Sequence, residues 1–178
     1  MPPFPIRTNR LTLAMPDETD YAFMRGVYAD PELVRFNGGT LSEEKAAGSI
    51  AKHKAHWDAH GYGLTVASLT ETGERVGFVS LTHLGLCGPE HPDLGFLVAP
   101  AHHGKGFATE ASSALVSFGF EALGVAKITA LVASKNAPAV RVLEKLGFEL
   151  VERRDFILPD GRNFSGSSVW ALARTEPL

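Results

Sequence analysis

Two segments of this chain pass from an apolar run, through a polar turn, into a helical stripe, and that repeated grammar points to a mixed α/β sheet. The first runs Leu94-Gly95-Phe96-Leu97-Val98, then Pro100, then His103-Gly104-Lys105-Gly106. A short continuous apolar run suits a central strand buried on both faces. Phe107, Ala108, Ala111, Ala114, Leu115 and Phe118 then recur at helical spacing. The second segment runs from Lys127 to Ala133 as a strand, through Asn136 and Pro138, into the stripe Ala139, Val142, Leu143 and Leu146. Asn136 suits an N-cap, Pro138 a first-turn position and Gly147 a C-terminal stop.

The remaining elements fit around these two units. Arg10-Leu11-Thr12-Leu13 alternates as a first strand. Asp17 or Thr19 caps a helix through Tyr21, Met24 and Tyr28, and Pro31 opens a short helical turn with Leu33, Val34 and Phe36. Ser42 caps a longer helix through Ala46, Ala47, Ile50, Ala51 and Trp57, which ends at Gly61 and Gly63. Leu64–Ser68 and Val76–Leu84 read as strands joined at Glu71-Thr72-Gly73-Glu74. Phe148–Asp155 and Ser167–Ala173 read as the last strands, with Asp160-Gly161 in the turn between them.

With 178 residues, 44% hydrophobic and 21% charged, the chain reads as one domain over 1–178. A disordered tail, a collagen-like chain and a disulfide scaffold are excluded. The charge of 17 − 20 = −3 gives no pull toward nucleic acid or an anionic membrane. Cys87 is the single cysteine, which suits a reducing compartment. Met1-Pro2-Pro3-Phe4-Pro5 shows no signal-peptide pattern, and no run approaches the ~20 apolar residues of a membrane helix. A soluble, cytoplasmic protein is expected, as monomer or homodimer.

The stretch His103-Gly104-Lys105-Gly106-Phe107-Ala108-Thr109-Glu110 carries the chemistry. Its glycines allow a tight turn, and the first N–H groups of the following helix have no internal partner. They make an anion site, most naturally for phosphate. Lys105 and His103 add positive charge at the rim. Two better-known phosphate loops do not fit: Gly106, not Ser or Thr, follows Gly-Lys, and Thr109 stands where a dinucleotide fingerprint places Gly or Ala. A glycine turn without a ligand is the bland alternative. Asn136 heads the second unit. Neighbouring strands that splay can hold an extended ligand, with a peptide-like arm against the edge of Phe96-Leu97-Val98. Asn136 would bond that arm, cap its helix, or do both.

In these residues the chain resembles the GNAT superfamily of acyl-CoA-dependent N-acyltransferases, and within it the RimJ/RimL-like group of ribosomal-protein N-terminal acetyltransferases. Thr8-Asn9-Arg10-Leu11-Thr12-Leu13 resembles that group's start, Leu94–Val98 its central strand, His103–Ala108 its pyrophosphate loop, and Asn136 with Glu144-Lys145-Leu146-Gly147-Phe148 its later motif. The resemblance implies a mixed, mostly antiparallel sheet flanked by helices and splayed at its central strands. It implies acetyl-CoA as co-substrate, held by Phe96, Leu97, Val98, His103, Gly104, Lys105, Gly106, Phe107, Ala108, Thr109 and Asn136. The acceptor would be a small-molecule amine or a protein N-terminus. His103 departs from the usual Gln or Arg. Ala139 and Leu143 stand where relatives carry a proton-donating Ser or Tyr, so Ser134, water or the substrate would supply that proton.

The implied reaction is direct attack of a neutral amine, with the thioester carbonyl polarised by the N–H of Leu97 or Val98. An α-amine with a pKa of about 8 is roughly a tenth neutral at pH 7, whereas a lysine amine near 10.4 is neutral less than about one time in a thousand. Asp93 is the first candidate base, ahead of Glu90 and His83; each also reads as an ordinary loop or strand group. Tyr21, Met24, Tyr28 and Phe36 are candidate acceptor-pocket residues or plain core, and Trp57 a core or lid residue. His53, His56 and His60 lie on one helix side, but no matching Cys or carboxylate set points to a metal. Cys87 has no nucleophile arrangement around it. A non-catalytic CoA-binding module, and a nucleotide-binding protein of another fold, remain the alternatives.

Overall fold

Alternation at Leu11 and Leu13 builds β2 (Leu11–Ala14), whose two leucines are fully buried. The structure is a computed structural model that describes residues 4–83, 87, 90–155, 157, 161 and 163–174. A two-residue strand, β1 (Ile6–Arg7), pairs with β2 and was not marked by any sequence pattern. Asp17 caps α1 (Glu18–Ala29), accepting from the Thr19 N–H, while the Asp20 carboxylate accepts from the Asp17 N–H. That reciprocal box satisfies donors the helix cannot. The short helical turn expected to open at Pro31 is present as one helical-type bond, from the Val34 N–H to the Asp30 carbonyl at 3.1 Å, within a run of turns over 31–39. The Asp30 carboxylate sets the first of them by accepting from the N–H groups of Glu32 and Leu33.

Ser42 caps α2 (Glu43–His60), which ends where Gly61 turns left-handed at φ 72°. Next come β3 (Leu64–Leu69), β4 (Arg75–Thr82) and β5 (Asp93–Val98). The expected end of β4 at Leu84 lies outside the described residues, and the strand closes at Thr82. A short turn at Pro100–His102 leads to α3 (Phe107–Glu121). Then follow β6 (Lys127–Ala133), α4 (Ala137–Lys145), β7 (Glu149–Arg154) and β8 (Ser167–Ala173). Asp160, of the expected Asp160-Gly161 turn, also lies outside the described residues.

The eight strands form one sheet in the order β1-β2-β3-β4-β5-β6-β8-β7. Every neighbouring pair is antiparallel except β5 with β6, which are parallel and joined by the crossover through α3. This is the mixed, mostly antiparallel sheet expected. One face packs under α1 and α2, where Met24, Val27 and Ile50 meet Leu64, Val66 and Phe78. The other packs under α3, where Phe107, Leu115 and Phe118 meet Leu81, Leu94 and Ile128.

Two buried details tie the core to the site. Gly77 of β4 lies against β5 so closely that a Cβ there would stand 2.0 Å from the Leu97 carbonyl oxygen. Trp57, a core residue, donates its indole N–H to the Leu64 carbonyl at 2.7 Å. Beside it, buried His56 accepts the His83 N–H at Nε2 (3.0 Å), so its Nδ1 carries the hydrogen and donates to the Tyr62 carbonyl (2.9 Å). With both ring nitrogens committed, His56 is a neutral structural bridge and not a metal ligand. Burial above all holds its pKa below the ordinary imidazole value, and His60 and His83 add to this against the raising effect of the Tyr62 carbonyl.

Gly77→Ala should destabilise the fold by about 1–3 kcal/mol by pushing β5 off β4; a melting temperature equal to wild type would contradict the close approach. For His56 the folded pKa is below the unfolded one, so the unfolded chain takes the proton more readily. Its contribution is intact above the unfolded value of 6.5 and is lost as pH falls from there through the folded value. The melting temperature should therefore drop between about pH 7.5 and about pH 5.5. That drop should be smaller in His56→Asn, as read by thermal denaturation of both proteins.

Candidate active site

β5 and β6 part almost as soon as they meet. Their register contains one aligned pair, Asp93 with Thr129. A side-chain clamp marks that point: the Thr129 hydroxyl bonds the Asp93 carboxylate, whose other oxygen accepts the Cys87 N–H at 3.3 Å. Beyond it the strands diverge, and Gly95 through Val98 are only half-buried. The expectation of a strand buried on both faces over Leu94–Val98 therefore holds only for Leu94, and Asp93, expected in the preceding loop, is the buried first residue of β5. Hydrophobicity alone does not distinguish a covered strand edge from an open one.

Backbone groups point to alternate edges along a strand. The Pro92 carbonyl accepts from Thr129 on the β6 edge, and the Ala99 N–H donates to Val76 on the β4 edge. The open edge therefore carries the backbone groups of Phe96 and Val98, while Leu94 stays buried beside the last paired position. Leu97 stands opposite Phe78, with its backbone groups turned toward β4. This corrects the expectation that a Leu97 N–H could face a ligand: Val98, the other candidate, has the right parity. The side chain of Leu97 instead faces the α1/α2 side of the sheet.

The glycine turn sits at the mouth of this opening. Gly104 and Gly106 adopt φ 73° and 81°, where a side chain would be strained. Gly106 is the N-cap of α3 and provides no side-chain cap. The first-turn N–H groups of Phe107, Ala108 and Thr109 therefore lie where helix geometry leaves donors without internal partners. Phe107 anchors the helix start in the core, and Lys105 is exposed. His103 Nε2 lies 2.7 Å from the Val98 carbonyl, so it donates there and caps the last carbonyl of the open edge. Asn136 accepts the Ala139 N–H at 3.3 Å, which makes it the cap of α4. Ser134 is exposed at the end of β6. Ala139 and Leu143 are buried, Leu143 completely, and neither carries a donor.

Sequence reasoning missed the clip that fixes this loop. Glu110 places a negative charge in the first turn of the helix offered to an anion. Its Oε1 accepts the Thr8 hydroxyl (2.6 Å) and the Arg10 N–H (2.9 Å), and its Oε2 accepts Arg10 Nε (2.7 Å). Arg10 also donates to the Lys105 carbonyl (3.0 Å) and lies over the Phe107 ring, 4.4 Å from its centroid. Burial pushes the Glu110 carboxyl up, but Thr8 and Arg10 outweigh it and hold the group below its ordinary value. A carboxylate in the first turn of a helix read as an anion site was the available signal, since it calls for a cation beside it.

On the α1/α2 face, next to the open edge, lies a cleft of about 180 Å³. Gly95, Leu97 and Ser80 form its floor, with Tyr28 of α1 and Ser49 and His53 of α2 above. Of the expected pocket residues only Tyr28 lines it. Met24 is buried in the core, Tyr21 packs against that cluster, and Phe36 lies under the Arg35 guanidinium. Asp93 does not line the cleft. Glu90 is exposed, and the His83 N–H is bonded to His56. Burial and the Asp93 charge push the Cys87 thiol up to about 12, so it is not a nucleophile. Among the described residues no cluster of three His, Cys, Asp or Glu could hold a metal ion, and no helix is long and apolar enough to cross a membrane.

Residues 10–149, which hold the Arg10–Glu110 pair, the open edge and the glycine turn, match the acetyltransferase (GNAT) domain model. The chain belongs to the GNAT acetyltransferase family. It is 30% identical over 152 residues to the N-acetyltransferase YoaA of Bacillus subtilis, covering 82% of this chain and 84% of that protein. Its fold superposes on an acetyltransferase from Agrobacterium tumefaciens with a TM-score of 0.80 and 28% identity, over 95% of this chain and 94% of that one. It also superposes on spermidine N-acetyltransferase from Vibrio cholerae, solved with CoA and spermine, with a TM-score of 0.74 and 18% identity over 93% and 96% of the two chains.

Arg10→Ala should cost about 1–2 kcal/mol, because Glu110 is then left without its cation, with the loss tempered by the exposure of Arg10. Arg10→Lys should restore little, since a lysine cannot repeat the forked contact. Chemical denaturation measures both; wild-type stability in Arg10→Ala would show that the clip contributes nothing.

Proposed function

We propose that this protein transfers the acetyl group of acetyl-CoA to a primary amine by direct attack. The observation that carries the reading is the open β5 edge ending at an uncapped, glycine-shaped helix start. An extended, amide-bearing arm with a phosphate end suits both parts: amide partners along Phe96 and Val98, and anion donors at the turn. Bound there, acetyl-CoA supplies the activated acyl group. The N–H groups from Gly104 to Thr109 would hold the pyrophosphate, with Lys105 and the remaining nitrogen of His103 at the rim. Phe96 and Leu97 would flank the arm, and Asn136 would reach it from the start of α4. The Val98 N–H would polarise the acyl carbonyl.

The cleft lies on the other side of Gly95 and Leu97 and would seat the acceptor. Two groups compete as its proton acceptor. Asp93 is already engaged by Thr129 and Cys87, which suits a positioning residue that fixes where the strands part. His53 lines the cleft itself, and we assign proton acceptance to it. Ser134 or water would return a proton to the leaving thiolate. The likeness to a spermidine acetyltransferase makes a polyamine one candidate acceptor; the RimJ/RimL-like features make a protein N-terminus another. A second reading, CoA binding without transfer, draws on the absence of donors at Ala139 and Leu143.

The test is release of free thiol from acetyl-CoA in the presence of a panel of amines. CoA binding with no release from any amine would favour the second reading. Given turnover, His53→Gln should lower kcat by about 100-fold with CoA affinity unchanged, the size of a lost general base. Asp93→Asn should lower the melting temperature by several degrees, about 1–3 kcal/mol of lost bonding, and spare the pH profile of kcat. The reverse pattern would return proton acceptance to Asp93.

A further inference from the structure

We infer that the cleft selects a small primary amine with an uncharged, apolar body, and that it discriminates against polyamines. This deepens the acetyl-transfer reading and rests on it for the cleft being the acceptor site. Two aromatic rings, Tyr28 and Phe78, line the cleft together with aliphatic side chains that include Leu64 and Leu97, while the Phe96 side chain packs on the opposite face of the sheet. Its polar groups are Asn37, Ser49, Ser80 and His53, besides the Tyr28 phenol. Among the described residues that line it there is no aspartate and no glutamate.

That missing charge decides between amines. A polyamine that gives up one proton to react still carries at least one more ammonium at neutral pH. Seated in this cleft, that second charge would leave water with no carboxylate to meet it, an unfavourable transfer. A monoamine loses its only charge at the nitrogen that reacts. Its body then meets rings and aliphatic chains that reward apolar area. The volume of about 180 Å³ equals about six waters at ~30 Å³ each, room for one ring and a short arm.

The test titrates the CoA-loaded protein with phenethylamine and with spermidine by calorimetry, with thiol release from acetyl-CoA measured in parallel. Phenethylamine should bind at least tenfold more tightly, and Ser49→Asp should narrow or invert that ratio by placing a carboxylate in the cleft. Spermidine binding as tightly as phenethylamine, or a ratio that Ser49→Asp leaves unmoved, would overturn the inference. The two readouts separate two kinds of failure. Phenethylamine preferred in binding with no thiol released would refute acetyl transfer and uphold the selectivity of the cleft. Thiol release with spermidine preferred would uphold transfer and refute the selectivity.

Discussion

Everything at this site depends on where β5 and β6 stop pairing. Parallel neighbours usually share a continuous ladder, and a buried ladder offers a ligand nothing. Here the ladder is held at Asp93 and Thr129 and then released. The clamp matters because it is buried and specific: a carboxylate and a hydroxyl on adjacent strands fix the branching point to one residue. From it follow the half-exposed Gly95–Val98 segment, the open backbone parity at Phe96 and Val98, and the position of the glycine turn at the mouth. The cleft on the opposite face is a second product of the same segment, since Gly95 lacks a side chain that would meet Ser80 Oγ at 2.7 Å.

The electrostatics are local. A net charge of −3 gives no overall pull on an anion from a distance. Instead the chain aims backbone N–H dipoles at one point, and then has to deal with the acidic Glu110 in the same helical turn. Arg10 does so from a different element, and its second bond to the Lys105 carbonyl turns a charge correction into a structural tie. The two histidine-rich features play opposite parts. His56 is fixed and neutral inside the fold, whereas His53, three residues earlier on the same helix, faces the cleft.

Much of this was legible in the sequence. The caps at Asp17, Ser42 and Asn136, the left-handed glycines and the alternation of strands and helices are local, and local chemistry is what a sequence displays. β1 escaped because two residues carry no periodicity. The helical turn after Asp30 was legible in the spacing of Leu33, Val34 and Phe36, but not the Asp30 carboxylate that sets it. The error at Leu97 has another cause. Which edge a backbone N–H faces depends on the register against β4, and one residue of slip exchanges Leu97 for Val98. The cleft was the least legible part, because its walls come from two helices, the loop between them and three strands, and Phe36, the best aromatic in that loop, turns away.

The clip between Arg10 and Glu110 joins residues a hundred positions apart. It therefore has a consequence for the order in which the molecule takes shape. A growing chain that has just exposed the glycine turn has the residues of the anion site but not its form, because the helix that carries Glu110 is still missing. Contacts of such long separation are costly to close and come late. The glycine turn is thus among the last parts of the molecule to mature, and it does so only once the first strands and the third helix have met.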